Sequence, residues 1–535
     1  YSEQALFLAR AAELTTDPAV RAARCLQAAA AYLIVGDAGA VQRQLDLAAP
    51  DLAGPVARAR AKRIQACTEM LLARASRVAV TLLEAVDRLG AADPAMTWDL
   101  LYEALAAAIV SADLTRGTTL PLVARRAAGA WHDPAPPPWS SGPLMYGLAL
   151  GLGHGYARGV PVLREALRTM RDCETVRETG IPLSVTIAHA ADQLWDIEAK
   201  RELAQRVAEQ DRRHGALHGL SLAQVVLAAA DISDGRFAAA EARYSENDEY
   251  AGAAGVVIHG DLTRPLLYAW TGREAELRRG VETMAGIAAG AGLGSLNRIA
   301  DQAQAVFEIG SGRYGRALEH VRRLFDDDTV ALGNVTLALM VEAGIRAGDR
   351  AAALAAFERI EHRAPLAGTP WALGSLARCR AMLAADDDAE PYYRESIERL
   401  GEVPVAMELA WSQLVYGEWL RRRRRRSDAR VQLRAAFEAF DSRGAAPFAE
   451  RARAELLASG ETARKRTIDT RFDLTPQERQ VALLAASGLT NGEIATRLFV
   501  TTATIEFHLS KVFRKLGITS RRQIASVLGT GEPAP

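Results

Sequence analysis

The chain has 535 residues, and its 65 basic and 65 acidic side chains give a formal net charge of zero. A chain of this length is too long for one hydrophobic core, so two to four folding units are expected. The balanced charge excludes a protein that is basic along its whole length, and any nucleic-acid contact must therefore be confined to one segment.

Cysteine spacing and apolar runs indicate the compartment. The four cysteines, Cys25, Cys67, Cys173 and Cys379, lie far apart without a Cys-x-x-Cys pattern, which predicts buried thiols in a reducing compartment and neither a disulfide frame nor a zinc site. Apolar runs such as 26–35 are shorter than the roughly 20 residues of a membrane span, and no signal peptide is recognisable. We expect a cytoplasmic protein without membrane contact. Because the sequence begins at Tyr1 and not at Met, an N-terminal part is expected to be absent from it.

Residues 1–455 repeat a short polar turn followed by a helix with small and apolar residues every three or four positions. Clear copies of the turn lie at 36–37, 235–237, 272–273, 312–314 and 348–349, and looser copies begin near 75, 158, 197, 387 and 427. A period near 38 made of two helices predicts a helical solenoid with a concave surface. Residues 312–319 and 427–437 look like second helices of tetratricopeptide-type units, so the predicted fold class is all-α.

Two stretches interrupt this pattern. Residues 132–143 are too rich in proline for a helix, and they are either a connector, which we favour, or the edge of a pocket. Residues 461–470 lack apolar periodicity. The predicted domains are therefore a repeat domain at 1–459, a linker at 460–471 and a C-terminal module at 472–530.

Three other patterns have more ordinary explanations than a functional site. His214 and His218 are four residues apart on a predicted helix, but no third metal ligand accompanies them, so they are interpreted as surface histidines. The glycines in 290–294 follow no strand and precede no lysine, which favours a turn between helices over a phosphate-binding loop. The six arginines at 421–426 favour a solvated helix end over a contact with DNA.

The C-terminal module reads as four short helices. Capping boxes at 475–478, 490–493 and 520–523 start three of them, and Thr501 or Thr502 caps another that Gly517 ends. Only residues 499–501 separate the middle two helices. A tight bend between two short helices predicts a helix-turn-helix.

The third of these helices has two different faces. At about 100° per residue, Ile505, Leu509, Val512 and Leu516 form one buried stripe, flanked by His508 and Phe513. The opposite face carries small, hydrogen-bonding, aromatic and basic groups, as a helix in a DNA major groove needs: Ala503, Glu506, Phe507, Ser510, Lys511 and Arg514. Phe507 is the most informative, because an apolar ring directed away from the core requires a partner, either a thymine methyl group or another protein surface.

Residues 474–521 closely resemble, without a gap, the LuxR-type helix-turn-helix of bacterial regulators. The resemblance implies base contacts from Ala503, Glu506, Phe507 and Ser510. It implies phosphate contacts from Thr490, Asn491, Thr504, Lys511, Arg514, Lys515 and Arg521. Two positions depart from the usual pattern: Thr502 stands where proline is common, and Ala503 where a basic or polar residue is common. Between 471 and 528, eight basic residues face four acidic ones, a local net charge of +4 that fits phosphate binding.

The repeats followed by this module resemble the large ATP-binding LuxR regulators, in which a P-loop ATPase precedes the helical repeats. The resemblance implies a bacterial transcription regulator whose repeats sense a small-molecule or protein inducer. It also implies double-stranded promoter DNA and RNA polymerase or another protein as partners, with a dimer on DNA. The alternative is a repeat scaffold for other proteins that the module tethers to DNA. No catalytic or cofactor motif is recognisable in 1–535, so neither an enzyme nor a bound cofactor is predicted for this chain.

Overall fold

The computed structural model describes residues 2–72, 74–130, 141–173, 183–254, 260–328, 330, 332–385, 387–460, 476–498, 501–516, 518, 520–521 and 523–524. Within these residues there are 27 α-helices, three short 3-10 helices and no strand, so the all-α prediction is confirmed. Contacts divide the chain into two units, Tyr1–Gly460 and Glu461–Pro535. The predicted proline-rich connector and the predicted linker lie mostly outside the described residues and stay predictions.

The first half of the repeat unit is a succession of helices in which sequence neighbours pack against each other. Their bounds are α1 Ser2–Glu13, α2 Pro18–Val35, α3 Ala38–Ala48, α4 Gly54–Leu71, α5 Val78–Leu89, α6 Pro94–Ser111, α7 Leu120–Gly129, α8 Gly142–His154, α9 Tyr156–Asp172, α10 Leu183–Leu194, α11 Ile197–His214 and α12 Leu217–Ser233. The 3-10 helices Ala49–Asp51 and Ala112–Leu114 follow α3 and α6.

The second half continues in the same way after a third 3-10 helix, Gly260–Leu262. Its helices are α13 Phe237–Ala254, α14 Pro265–Thr271, α15 Glu274–Ala291, α16 Gly294–Gly310, α17 Tyr314–Asp326, α18 Leu337–Ala347, α19 Arg350–Ala367, α20 Pro370–Leu383, α21 Ala389–Gly401, α22 Ala406–Arg422, α23 Arg426–Arg443 and α24 Ala446–Ala458. From α2–α3 to α22–α23 the helices form consecutive pairs, as a helical solenoid requires.

The predicted turns lie between the two helices of a pair. Gly36, Gly272 and Gly348 end first helices in the left-handed conformation, and Gly235 and Gly312 take it one residue later. A residue without a Cβ adopts this conformation at little cost, which explains why the turns were recognisable as glycine motifs.

The largest core cluster extends from Trp195, just before α11, to α24. At its end, Phe448 of α24 is fully buried, with its ring 4.7 Å from that of Trp270 in α14 and 4.6 Å from that of Trp411 in α22. A Cβ on Gly310 of α16 would come within 2.8 Å of the Phe448 ring, so this close approach requires glycine. The last helix of the array is thus packed against helices more than 130 residues earlier in the chain.

A buried polar network accompanies this contact. Arg451 of α24 lies 2.6 Å from Glu342 in α18 and 2.8 Å from Glu418 in α22, and all three side chains are buried. Trp411 donates its indole N–H to Glu342 at 2.6 Å, and Arg346 also contacts Glu418. Buried carboxylates need such partners because an unpaired charge in the interior is costly. Burial raises the pKa of Glu418, but Arg451 and Arg346 more than offset it and hold that pKa below its usual value.

Helix α6 is both long and apolar. The segment Pro94–Leu114 is, among the described residues, the one segment long and apolar enough to cross a membrane, and 67 % of it is buried inside the fold. The apolar runs considered in the sequence did not single out this segment. Its apolar side chains are buried in the core cluster to which α4 to α11 contribute.

The structure corrects the interpretation of the two histidines. Gly215, in the left-handed conformation, ends α11 directly after His214, so the pair does not share one helix. His214 is exposed and its ring contacts the carbonyl oxygen of Gln210 at 2.8 Å. His218, in α12, is half-buried, and burial lowers its pKa to about 4. The expectation of a surface position is therefore right for His214 and wrong for His218, and no cluster of three or more metal-ligating side chains occurs among the described residues.

The glycines at 290–294 and the arginine run both lie between helices. Gly292, in the left-handed conformation, ends α15, and α16 begins at Gly294, so the predicted turn is confirmed. The run 421–426 covers the end of α22, the turn and the start of α23. Three of its members are ion-paired: Arg421 with Glu455, Arg423 with Asp387, and Arg425 with Glu390 and Asp428.

All four cysteines are free thiols, and the predicted burial holds for two of them. Cys25 and Cys379 are buried, whereas Cys67 and Cys173 are half-buried. Burial raises the pKa of Cys379 to about 12, so this thiol stays protonated and is a poor nucleophile.

Candidate nucleic-acid interface

The C-terminal unit contains three helices, α25 Pro476–Ala486, α26 Asn491–Leu498 and α27 Thr502–Leu516. Each packs against the other two around a small apolar core. The fully or largely buried members of that core are Val481, Ala482, Ala485, Ile494, Ala495, Ile505, Leu509, Val512 and Ile524. The short interval between α26 and α27 has the helix-turn-helix arrangement that the sequence predicts. Of the predicted fourth helix at 520–528, residues 523 and 524 are helical, and 525–528 lie outside the described residues.

Side-chain caps position the two central helices. The Thr490 backbone N–H donates to the Glu493 carboxylate at 2.7 Å, and the Glu493 N–H donates to the Thr490 hydroxyl at 3.3 Å, which completes the predicted capping box of α26. The hydrogen bonds that the Thr490 N–H and hydroxyl donate to the Glu493 carboxylate lower the pKa of Glu493. Thr501, and not Thr502, caps α27 by accepting a hydrogen bond from the Thr504 N–H at 3.3 Å. The caps fix where each helix begins and therefore which side chains face outward.

The other two predicted boxes are described only in part. The Ser520 N–H donates to the Gln523 side-chain oxygen at 3.0 Å, which is one half of a capping box. Thr475 and Gly517 lie outside the described residues, so their predicted roles stay predictions.

The predicted buried stripe of α27 is present. Ile505, Leu509 and Val512 are buried, while Leu516 is half-buried. The flanking residues His508 and Phe513 are also half-buried. Since this stripe holds α27 against α25 and α26, the opposite side of the helix is left open to solvent.

The open face of α27 carries the residues that the sequence assigned to base contacts. Glu506 and Ser510 are exposed, and the Ser510 hydroxyl is bonded to the Glu506 carbonyl oxygen at 2.9 Å. Phe507 is 57 % exposed, and the Lys511 ammonium nitrogen lies 4.2 Å from its ring centroid. A cation over one ring face leaves the edge and the other face of Phe507 for a partner. The structure gives the backbone positions of Ala503, Arg514 and Lys515 in α27, but their side chains lie outside its description.

The turn before α26 is tied to a residue from the far end of the unit. Arg521 donates a hydrogen bond to the Asn491 side-chain oxygen at 2.6 Å and another to the Leu489 carbonyl oxygen. The sequence assigned Arg521 and Asn491 separately to phosphate and did not predict that they contact each other. No sequence pattern reports a contact between residues 30 positions apart. Through these two hydrogen bonds, Arg521 fixes the orientation of the Asn491 side chain at the start of α26.

Thr490 and Thr504 occupy the helix starts where the sequence expects phosphate. Thr490 is exposed, and its hydroxyl contacts the Glu493 carboxylate at 2.8 Å. Thr504 is half-buried, and its hydroxyl shares a hydrogen bond with that of Thr501 at 2.8 Å. The helix N-terminus carries partial positive charge, so anions are stabilised near both threonines.

Comparison with known proteins gives matches in the C-terminal unit. The luxR family of bacterial regulatory proteins matches residues 473–528. A putative HTH-type transcriptional regulator of Mycobacterium tuberculosis is 46 % identical over 65 residues, which are 12 % of this chain and 7 % of that protein. The HTH-type transcriptional regulator AlkS of Alcanivorax borkumensis is 40 % identical over 70 residues, 12 % of this chain and 8 % of AlkS. The alignments therefore span less than a tenth of the length of these two relatives.

A shorter relative is matched over most of its length. The spore germination protein GerE of Bacillus subtilis is 38 % identical over 60 residues, which are 11 % of this chain and 81 % of GerE. The residues 473–528 that match the luxR family include the caps of α26 and α27, the buried stripe and the open face of α27. Through this C-terminal unit, the chain belongs to the luxR family of bacterial regulatory proteins.

Proposed function

We infer that this chain is a bacterial transcription regulator that inserts α27 into the major groove of promoter DNA. The observation that carries this is the open face of α27, where Glu506, Phe507 and Ser510 project away from the unit's core. An α-helix fits the major groove, and donors, acceptors and an apolar group on one face suit base edges and a thymine methyl group. The names of the M. tuberculosis relative and of AlkS, both described as transcriptional regulators, agree with this.

The remaining residues of the interface divide into backbone contacts and support. We assign Lys511, next to Phe507, and the helix starts at Thr490 and Thr504 to phosphate contacts, which a cation and helix N-termini favour. Arg521 contributes chiefly by holding Asn491 toward the same backbone. Arg514 and Lys515 are proposed phosphate contacts on the strength of the resemblance, as Ala503 is for a base.

We propose that the helical repeats are the sensing part of the regulator. Solenoids present an extended concave surface, and the luxR-family unit accounts for only 473–528 of 535 residues. An inducer that binds the repeats, or a protein partner such as RNA polymerase, would change how the chain acts at a promoter. Activity of this kind belongs in the cytoplasm, at the nucleoid.

Selection from a random duplex pool tests the DNA-binding proposal. The full chain should enrich one sequence motif, and the Glu506→Ala/Ser510→Ala variant should enrich a different or weaker motif at unchanged helix content. A matched control is Arg453→Ala, an exposed residue of α24, which should leave the motif unchanged. Enrichment of no motif by the folded full chain would contradict the proposal and favour a scaffold that uses DNA only as a tether.

A further inference from the structure

A cavity of about 420 Å³ lies in the repeat unit, away from the DNA-binding residues. Its size falls within the range of small-molecule sites, about 300–1,000 Å³. Two distant parts of the chain enclose it. One wall is built from α6 to α9, and the other from Asp327, Asp328, Val330 and Arg363 of α19. A molecule in this cavity would therefore touch helices separated by more than 150 residues of sequence.

The floor of the cavity is apolar and the helices there pack closely. Leu148, Leu163 and Val330 line it and are buried. Gly159 and Gly147 let α8 and α9 cross at short range, since a Cβ on Gly159 would lie 2.5 Å from the Gly147 carbonyl oxygen. An apolar body is thus the part of a ligand that this floor accepts.

The opening of the cavity is acidic. Three carboxylates line it, those of Asp113, Asp327 and Asp328, against the single lining guanidinium of Arg363. Arg363 is bonded to both oxygens of Asp328, at 2.7 and 2.5 Å. Asp113 and Asp327 share one guanidinium, that of Arg298, at 3.0 and 2.5 Å.

The negative charge of the opening is concentrated at Asp113 and Asp327, which share Arg298, because Asp328 has a second guanidinium nearby, that of Arg359 at 3.6 Å. Burial raises the pKa of Asp327, Arg298 lowers it, and the neighbouring carboxylate of Asp113 raises it again, so that the net direction is upward. Burial is the largest of these causes, and the carboxylate of Asp113 adds to it. The buried hydroxyl oxygen of Thr118, which lines the cavity, has no hydrogen-bond partner among the described residues. Both features suit a ligand group that donates hydrogen bonds and carries positive charge.

We propose that this cavity binds a small amphipathic amine, whose apolar body lies on the leucine floor and whose ammonium group faces Asp113 and Asp327. The proposal rests on the sensing role inferred above for the repeats and assigns that role a location and a ligand class. An anionic ligand is disfavoured, because it would meet two carboxylates that share one guanidinium. Binding bridges the α8–α9 wall and the α19 wall, so the ligand stabilises the arrangement in which the two walls are close.

Three probes with one body and different head groups test the ligand class: phenylbutylamine, phenylbutanol and phenylbutanoate. Calorimetric titration of the full chain should give the tightest binding for the amine, with the carboxylate weaker by about tenfold or more. Asp113 is half-exposed, and Arg298 keeps its other partners Asp301 and Asp327. Asp113→Asn should therefore weaken the amine by about threefold, leave the alcohol unchanged and keep the fold. Equal affinities for the three probes would overturn the proposal.

A filled cavity tests the location. Gly151 of α8 lines the cavity, and an added Cβ there would have one atom within 4 Å, the Gly159 Cα at 3.9 Å. Gly151→Leu should abolish amine binding while retaining the helical content, since leucine is the better helix former. Gly286→Leu is the matched control, because Gly286 lies inside α15 with no atom near its added Cβ. Undiminished amine binding by a folded Gly151→Leu variant would place the amine elsewhere and refute the site.

Hydrogen exchange and DNA selection separate this inference from the proposed function. The bound amine should slow amide exchange in both α8 and α19, whereas binding at an unrelated surface would leave one or both unchanged and would count against the site. DNA selection without any probe reports on the regulator role alone. If a motif is enriched but the amine does not bind, the ligand inference fails and the regulator stands. If the amine binds at the cavity but no motif is enriched, the site stands and the regulator role fails.

Discussion

Truncation of Phe507 to alanine measures how much of the sequence preference comes from the open face of α27. An aromatic side chain offers about 200 Å², and Phe507 is 57 % exposed in the free protein. About 110 Å² is therefore available to a partner. Covering half of that area, at about 25 cal/mol per Å², contributes about 1.4 kcal/mol, or about tenfold in affinity.

The cost of this change to the free protein should be small. Most of the Phe507 ring is in solvent, and its main neighbour is the ammonium group of Lys511, an exposed cation–π contact worth about 0.5–1 kcal/mol. Thermal unfolding of Phe507→Ala should therefore stay close to that of the wild type. Its loss of affinity can then be assigned to the DNA complex.

The assay is fluorescence anisotropy with the selected site and with a scrambled duplex of the same length at the same salt concentration. Phe507→Ala should bind the selected site about tenfold more weakly and the scrambled duplex less than about threefold more weakly. Glu506→Gln is a comparison on the same face that keeps the size of the side chain. An equal loss on both duplexes would refute the reasoning, because it would mean that Phe507 supports the fold or a protein contact and does not read bases.

Four further substitutions and one fragment have expected outcomes. Lys511→Ala should weaken binding to all duplexes alike and reduce the slope of log affinity against log salt concentration by about one. Arg521→Ala should mainly lower the unfolding temperature of the C-terminal unit, because the turn before α26 loses its hydrogen bonds to Arg521. Arg451→Met should lower the free energy of unfolding of the repeat unit by about 3–5 kcal/mol, since two buried glutamates lose their partner, as denaturant titration would report. Burial raises the pKa of Asp211 to about 7, so the folded state binds a proton that the unfolded state releases. The wild type should lose stability as the pH rises from about 4 to about 7, between the unfolded and the folded pKa of this carboxyl, and Asp211→Asn should flatten that decline in thermal unfolding. The isolated fragment 468–535 should sediment as a monomer and pair on a duplex that carries an inverted repeat.

Four of these predictions have a specific result that would contradict them, and an unchanged salt slope would contradict the one for Lys511→Ala. A reduced salt slope for Arg521→Ala at unchanged unfolding temperature would return that residue to a direct phosphate contact. A neutral Arg451→Met would mean that the buried carboxylates are protonated and need no cation. The same pH dependence in Asp211→Asn as in the wild type would assign the slope to other groups. Half-site binding by 468–535 as tight as binding to the full inverted repeat would exclude pairing.

Local features of the fold followed from the sequence to a large extent. The turns at Gly235, Gly272 and Gly312, the Thr490 capping box and the two faces of α27 all depend on residues within one or two helical turns of each other. Periodicity and cap chemistry report such short-range contacts directly. The prediction of His214 and His218 on one helix failed for a local reason too, since the left-handed Gly215 ends α11 between them.

The sequence by itself determined the all-α class, the paired-helix repeat and the luxR-type unit with its outward face, because these depend on neighbours along the chain. Only the tertiary structure decided which distant residues meet. It brought Phe448 onto Trp270, clamped Asn491 with Arg521, and enclosed a cavity between α8 and α19. The physical reason is that curvature of a solenoid accumulates from small rotations between successive pairs. No local pattern in the sequence encodes the sum of those rotations, so contacts across more than one turn of the array appear only when the whole chain is folded.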